Sequence, residues 1–247
     1  MLPYLIVCPL VFLAGFVDSI AGGGGLISLP AFMIAGLPSH MALATNKLSS
    51  TLGTVVSTGR FLKNGYVPIK LSLCGAVMAL TGSAIGANLA LLVSDKVLKG
   101  MLLVVLPVVA FYVLKKKKTE EEPEPLPKKK LLAVVMSAAF VIGIYDGFYG
   151  PGTGTFLLLV LTGLGKMDLR SASGTTKVIN LSSNVSALFT FIIRGQVNWS
   201  LGLAAAVFCI LGHYIGSGLV TTKGHKVVRP VILTVLCILF IKIIAGF

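Results

Sequence analysis

Two lysines lie inside apolar stretches of this chain, and each is followed by polar residues at helical spacing. Lys47 lies in the sequence AlaThrAsnLys and Lys177 in GlyThrThrLys. A lysine within a membrane span costs about 2.5–3.5 kcal/mol on insertion scales, so it normally faces the bundle interior or a watery cavity. The polar residues three and seven positions later share its helix face. They are Ser50 and Thr54 after Lys47, and Asn180 and Asn184 after Lys177. We therefore predict that both lysines line a cavity; snorkelling to the membrane interface is the alternative.

Two glycine-rich clusters, at residues 18–25 and 146–154, each precede a short apolar segment. In lipid every backbone N–H needs a partner, so unwound backbone persists only where it is buried in protein or lines a cavity. The helix that follows such a cluster offers free N–H groups and a positive dipole end to an anion. The clusters therefore predict an anion site, with close helix packing as the alternative. Its predicted residues are Gly22, Gly23, Gly24, Gly25, Gly150, Gly152, Thr153 and Gly154.

Acidic residues are rare outside the segment 115–130. They are Asp18, Asp95, Asp146 and Asp168. Asp18 and Asp146 each open a glycine cluster, where they either pair a lysine and cap freed N–H groups or carry coupling protons. His213 is interpreted as a packed core histidine. Because no Ser/His/Asp, zinc-ligand or P-loop pattern occurs, we predict no enzyme activity, no metal and no cofactor.

The composition indicates a membrane protein. Only 12% of the 247 residues are charged and 55% are hydrophobic, whereas soluble domains carry about 25% charged residues. The uncharged runs 71–94 and 195–222 each exceed the roughly 20 residues that a spanning helix needs. A net charge of +13 favours nucleic acid as a partner only for a soluble protein, because lysine and arginine collect in the cytoplasmic loops of membrane proteins. The sequence therefore predicts an all-α polytopic protein whose partners are a lipid bilayer and a small anion.

A charged, proline-rich segment at 115–130 is predicted to be a cytoplasmic linker between an N-terminal repeat, 1–114, and a C-terminal repeat, 131–247. Lys47 precedes Lys177 by the same 130 positions that separate Gly65 from Gly195, and Asp18 precedes Asp146 by 128. Such internal duplication is common in secondary transporters. Each half has five apolar segments. They are residues 2–17, 26–36, 42–62, 69–92 and 97–114, and then 131–145, 155–164, 172–193, 199–220 and 227–244.

The first two segments of each half are expected to be too short to span a bilayer, since residues 26–36 rise only about 16 Å as a helix. Each pair forms either a re-entrant hairpin or one broken spanning helix. Re-entrant pairs place Lys166, Arg170, Lys223, Lys226 and Arg229 in the cytoplasm, against Arg194 and Lys242 outside; spanning pairs reverse this. The positive-inside rule therefore predicts two inverted repeats, each with a re-entrant helical hairpin and three transmembrane helices, with both termini outside.

The sequence PheValAspSerIleAlaGlyGlyGlyGlyLeuIleSerLeuPro, followed by AlaLeuAlaThrAsnLysLeuSerSerThrLeuGly, resembles the TauE/SafE family of sulfite exporter-like permeases. TyrGlyProGlyThrGly and GlyThrThrLys in the second half fit the same family. The resemblance implies transport of sulfite, thiosulfate, sulfoacetate or a related organosulfonate. It also implies that the glycine turns at Gly22–Gly25 and Gly150–Gly154 form the substrate cradle, with charge supplied by Lys47 and Lys177.

These observations predict a secondary transporter of the bacterial cytoplasmic membrane that binds a small anion at the midplane between the glycine-rich hairpin tips. Access alternates as one repeat rocks against the other. An anion channel would share the lysines and the helix dipoles, and it stays open as an alternative, as does an intramembrane enzyme. The direction of transport, the coupling ion and a homodimer are also left open by the sequence.

Overall fold

The described part of the structure, a computed structural model, covers residues 1–94 and 126–223 and contains only helices, turns and short connections. The helices are α1 (Leu2–Ala21), α2 (Gly25–Ile34), α3 (Ser39–Lys63), α4 (Ile69–Ala90), α5 (Lys128–Phe148), α6 (Thr153–Gly163), α7 (Leu169–Ile193) and α8 (Trp199–Lys223). The predicted segments 97–114 and 227–244, and most of the predicted linker, lie outside the described residues. The all-helical class is confirmed for the described ranges.

Five of the described helices, α1, α4, α5, α7 and α8, are long and apolar enough to cross a membrane. The chain is therefore a polytopic membrane protein. Helix α3 equals α7 in length, 25 residues each, but it is the more polar of the two. Residues 42–49 of α3 are all buried, so its polar side chains face neighbouring helices and not lipid.

The expectation that α1 and α5 are too short to span is wrong. The predicted segments 2–17 and 131–145 ended before the aspartates, whereas the helices contain 20 and 21 residues and carry Asp18 and Asp146 in their last turns. Each carboxylate meets a buried lysine, so the helix has no need to unwind before it. Helix α5 also begins three residues earlier than expected, directly after Pro127. Only α2 and α6, with 10 and 11 residues, remain short.

Each short helix folds back along the long helix that precedes it. A Cβ atom on Gly24, just before α2, would lie 2.4 Å from the carbonyl oxygen of Ala14 in α1. In the second half, the ring of Phe156 in α6 contacts that of Tyr145 in α5 at a centroid distance of 5.5 Å. The pairs α1–α2 and α5–α6 are therefore helical hairpins with glycine-rich turns.

Two pairs of long helices each join one helix of the first half to one helix of the second. Helix α4 lies against α5 and α1 lies against α8, both through glycines: a Cβ on Gly86 would lie 2.0 Å from the carbonyl oxygen of Ile144, and one on Gly212 would lie 2.3 Å from that of Phe12. Close backbone approach through small residues is the usual packing of membrane helices.

Helices α3 and α7 lie side by side at the centre and run in opposite directions. The Lys47 side chain of α3 reaches Asn184 of α7, whereas Thr58, eleven residues further along α3, bonds to Lys177, seven residues earlier in α7. These two helices are therefore antiparallel, as the predicted inverted repeats require. How they are oriented across a bilayer stays a prediction.

Candidate functional site

The two buried lysines each meet the aspartate of the opposite half. Lys47 Nζ donates to Asp146 Oδ2 at 2.6 Å. Lys177 Nζ lies 3.3 Å from Asp18 Oδ2 and also donates to the backbone oxygen of Asp18. Both lysines are 2% exposed, so neither snorkels to an interface. The two ion pairs join the halves of the chain, because each contains one residue from each half.

The Lys47 cluster, defined as Lys47, Asp146 and Asn184, is almost fully buried. Asn184 Oδ1 accepts a second hydrogen bond from Lys47 Nζ at 2.8 Å, and the lysine and aspartate side chains are 2% and 3% exposed. Burying two charges costs several kcal/mol per ion unless they are paired and hydrogen-bonded. The short contacts to a carboxylate and an amide supply that compensation for Lys47.

The Lys177 cluster, defined as Lys177, Asp18, His213 and Ser57, is organised around a carboxylate with more partners. Asp18 Oδ1 accepts from the N–H of Gly24 at 3.2 Å, while His213 Nε2 lies 3.7 Å from Asp18 Oδ2. The other ring nitrogen of His213 lies 3.0 Å from Ser57 Oγ. The histidine is buried and hydrogen-bonded as expected, but its contact with Asp18 was not predicted.

The two glycine-rich turns meet each other at the centre of the molecule. A Cβ on Gly22, whose φ is +75°, would lie 2.3 Å from backbone atoms of Gly154 and Thr155. Thr155 Oγ1 donates to the carbonyl oxygen of Ala21 at 3.0 Å. At Gly22 the alternative interpretation, close packing, therefore applies, because the absence of a side chain lets the two backbones touch.

Beside this crossing lies a partly open cavity of about 330 Å³, a volume that includes open solvent. Helices α2 and α6 both begin at its wall, and the first N–H groups of a helix have no partner within the helix. Its lining residues are Asp18, Gly25, Asn46, Lys47, Ser50, Asp146, Gly150, Gly152, Thr153, Gly154, Asn180 and Asn184. The structure thus brings together most of the residues that the sequence singled out.

The remaining predicted site residues, all within the described ranges, lie elsewhere. Gly22, Gly23, Thr54 and Lys177 are absent from the cavity wall. Gly24 lines a neighbouring cavity of about 200 Å³ that also contacts His213. The two cavities share Asp18, Gly25 and Ser50, so the Lys177 cluster lies behind the first cavity.

Asn46 lines the cavity and was missed. Its side chain is 6% exposed, and its Oδ1 has no hydrogen-bond partner in the described part of the chain. A buried, unpaired amide oxygen costs about 1–3 kcal/mol, and because it is an acceptor, only a donor such as water or an O–H or N–H group of a ligand would offset that cost. The sequence does indicate Asn46, because it precedes Ser50 by four residues and so shares its helix face. The predicted polar stripe began only at Lys47 and therefore left Asn46 out.

The cavity wall contains two aspartates and one lysine, and Lys177, which pairs with Asp18 behind the wall, brings the formal charge of the two ion pairs to zero. The remaining polar groups of the wall are amides, hydroxyls and backbone. Among the described residues no group of three or more His, Cys, Asp or Glu side chains could hold a metal ion. The arrangement can donate several hydrogen bonds to a small polar ligand that offers oxygen atoms.

Residues 7–243 match the protein family described as sulfite exporter TauE/SafE. The chain is 36% identical to "Probable membrane transporter protein ORF9" of Sinorhizobium sp over 234 residues, which are 95% of this chain and 89% of that protein. It is 36% identical to "Probable membrane transporter protein YfcA" of Escherichia coli K12, covering 94% and 86% of the two chains. A "Probable membrane transporter protein" of Haemophilus influenzae is 33% identical, covering 90% and 86%. No solved structure gives a significant match.

Proposed function

Because the chain belongs to the sulfite exporter TauE/SafE family and is a multi-pass membrane transporter, we propose that its substrate is a small sulfur-containing anion. Sulfite, thiosulfate and organosulfonates are the candidates. The membrane is the bacterial cytoplasmic membrane, and the anion binds in the cavity between the two glycine-rich turns.

The observation that supports this proposal is a polar cavity bordered by Lys47. Polar side chains and backbone from both halves of the chain line this cavity, which suits a small polar ion. A sulfonate or sulfite group presents three oxygen acceptors. The Lys47 ammonium, the amides of Asn46, Asn180 and Asn184 and the hydroxyls of Ser50 and Thr153 are donors that could satisfy them.

Alternating access is the mechanism that the arrangement supports best. The cavity lies where the two halves meet, and both ion pairs cross between the halves. A rocking motion of one half against the other would open the cavity to one side and then the other, as in other transporters built from repeats. The substrate would stay at the crossing of the turns while the access changes around it.

Binding is tested by measuring the thermal stability of the purified protein with sulfite, thiosulfate, sulfoacetate, taurine, sulfate and chloride. Selective stabilisation by sulfur anions is expected for the native chain, and it should be lost in the double variant Lys47→Met/Asp146→Asn, which leaves no unpaired charge. The exposed Lys70→Met is the matched control and should respond as the native chain does. Stabilisation that survives in the folded double variant would remove Lys47 from the site.

Transport is tested in proteoliposomes loaded with the stabilising anion. A transporter saturates and exchanges labelled for unlabelled substrate across the membrane faster than it carries out net flux. Flux that rises in proportion to concentration, without exchange, would favour an anion channel instead.

A further inference from the structure

The charge balance of the cavity constrains how an anion enters it. Lys47 and Asp146 neutralise each other, and so do Lys177 and Asp18. An added anion would bring an uncompensated charge into a buried site, which costs several kcal/mol even after relaxation. A cation must therefore enter with it, or one of the aspartates must lose its charge. This argument rests on the proposed function.

The two aspartates differ in how firmly their negative charge is held. Asp18 accepts hydrogen bonds from the Gly24 N–H and from Lys177, and His213 Nε2 lies 3.7 Å from it. Within the described residues Lys47 is the one hydrogen-bond donor to the Asp146 side chain. Lys47 in turn has a second partner, Asn184, and stays held if Asp146 releases it.

The titratable groups around Asp146 are few. Lys47 faces it from α3, Asp18 faces it across the cavity from α1, and Tyr145 and Tyr149 come from its own helix and the turn after it. Helix α7 presents Asn184 at this level, α4 presents Ser83, whose carbonyl oxygen lies beside the α5 backbone at Gly147, and α6 has no titratable side chain. Asp146 is therefore the acid that faces the ammonium an incoming anion would use.

We infer that the substrate anion replaces Asp146 on Lys47 and that Asp146 takes up one proton from water as it is displaced. The Lys47–Asp146 hydrogen bond breaks, an O–H bond forms on the Asp146 carboxyl group, and Lys47 donates to an oxygen of the anion. One negative charge enters with one positive charge, so the net charge of the site stays the same. The protein would then carry one proton with each anion and would favour monovalent sulfur anions over divalent ones.

Proton uptake on binding is the direct test. Methanesulfonate (monovalent) and thiosulfate (divalent) are suitable probes because neither binds protons near neutral pH. Calorimetric titration of the native protein in buffers of different ionisation enthalpy should show uptake of about one proton per methanesulfonate bound. Since one proton is linked to each anion, affinity should rise up to about tenfold per unit decrease in pH.

The matched variants are Asp146→Asn and Asp168→Asn. The first should bind methanesulfonate at least as tightly as the native chain, with no proton uptake and a flat pH profile. The second changes an aspartate at the start of α7 outside the cavity and should keep the native uptake. Should Asp146→Asn fail to fold, the native titration still decides.

The outcomes separate the two proposals. Binding without proton uptake, or uptake that persists in folded Asp146→Asn, would overturn the coupling and leave the anion site standing. Tighter binding of thiosulfate than of methanesulfonate would overturn the preference for monovalent anions. If neither anion binds, the proposed function fails together with the inference.

Discussion

The Lys47 cluster and the Lys177 cluster occupy equivalent positions in the two halves, yet their neighbours differ. Asn184, which binds Lys47 at 2.8 Å, corresponds to Thr54, whose hydroxyl has no partner within the described residues. His213, which contacts Asp18, corresponds to Ser83, whose hydroxyl donates to the carbonyl oxygen of Ser183. The two clusters therefore share their charges and differ in what surrounds them.

The difference indicates a division of roles. The Lys47 cluster lines the larger of the two cavities with an amide and with a carboxylate that has one hydrogen-bond donor. Lys47 could therefore exchange this carboxylate for another acceptor. The Lys177 cluster holds its carboxylate with a backbone N–H, a lysine and a histidine, which favours a fixed structural role. Under the proposed function, one cluster of the equivalent pair would therefore bind the anion while the other anchors the halves.

The largest expected effect comes from breaking one ion pair at a time. Lys47→Met leaves Asp146 buried without a partner and should cost about 3–5 kcal/mol of unfolding free energy. Lys177→Met should cost about 1–2 kcal/mol less, because Asp18 is 16% exposed and keeps the Gly24 N–H and His213. Unfolding titrations in mixed micelles measure both. Equal losses would contradict the proposed difference between the clusters.

A second effect is expected when Gly53 of the first half is replaced by serine, the residue at the corresponding position of the second half. Gly53 corresponds to Ser183, and a Cβ at Gly53 would lie 2.6 Å from the His213 ring and 2.7 Å from Cys209 Sγ. Gly53→Ser should therefore displace His213 and cost about 1–3 kcal/mol through overpacking. The reciprocal Ser183→Gly is the control for the second half. Native stability of Gly53→Ser would show that this interface is loosely packed.

A smaller effect distinguishes the starts of the two central helices. Asp168 caps α7 by accepting from the N–H groups of Arg170 and Ser171, whereas α3 follows Pro38. Asp168→Ala should cost about 1 kcal/mol. Burial alone would raise the pKa of Asp168, but these hydrogen bonds hold it below the usual value. The contribution of the Asp168 cap to the free energy of unfolding is therefore present at neutral pH and lost as the pH falls through that lowered pKa. A difference in stability between Asp168→Ala and the native chain that does not change with pH would exclude the cap.

The smallest effect concerns Thr54, the short counterpart of Asn184. Because its buried hydroxyl has no partner in the described residues, Thr54→Val removes an unsatisfied group and should change stability by less than about 0.5 kcal/mol or raise it. Asn184→Leu, by contrast, removes a partner of Lys47 and should be destabilising. Thermal unfolding of the two variants side by side measures the contrast. A marked loss in Thr54→Val would mean that its hydroxyl is satisfied in the membrane.

The sequence predicted the helices, the lysine stripes and the glycine turns because each is a local pattern of one or two helices. It did not predict which aspartate meets which lysine. Lys47 and Asp146 are 99 residues apart, and Lys177 and Asp18 are 159 apart, so only the packing of distant helices decides their pairing. The same limit applies to the contact of His213 with Asp18. The ends of α1 and α5 were misplaced because those pairings, invisible to periodicity, allow the helices to continue through Asp18 and Asp146.

The crossed ion pairs also bear on how the protein is made. When the first half has entered the membrane, Lys47 has no acid partner yet, because Asp146 is synthesised 99 residues later. At about 5–20 residues per second, the lysine waits roughly 5–20 s for its counterion. During that interval the first half carries an unpaired charge at its centre, so it cannot settle into its final packing until the second half is inserted. The final packing of the first half therefore waits for the insertion of the second.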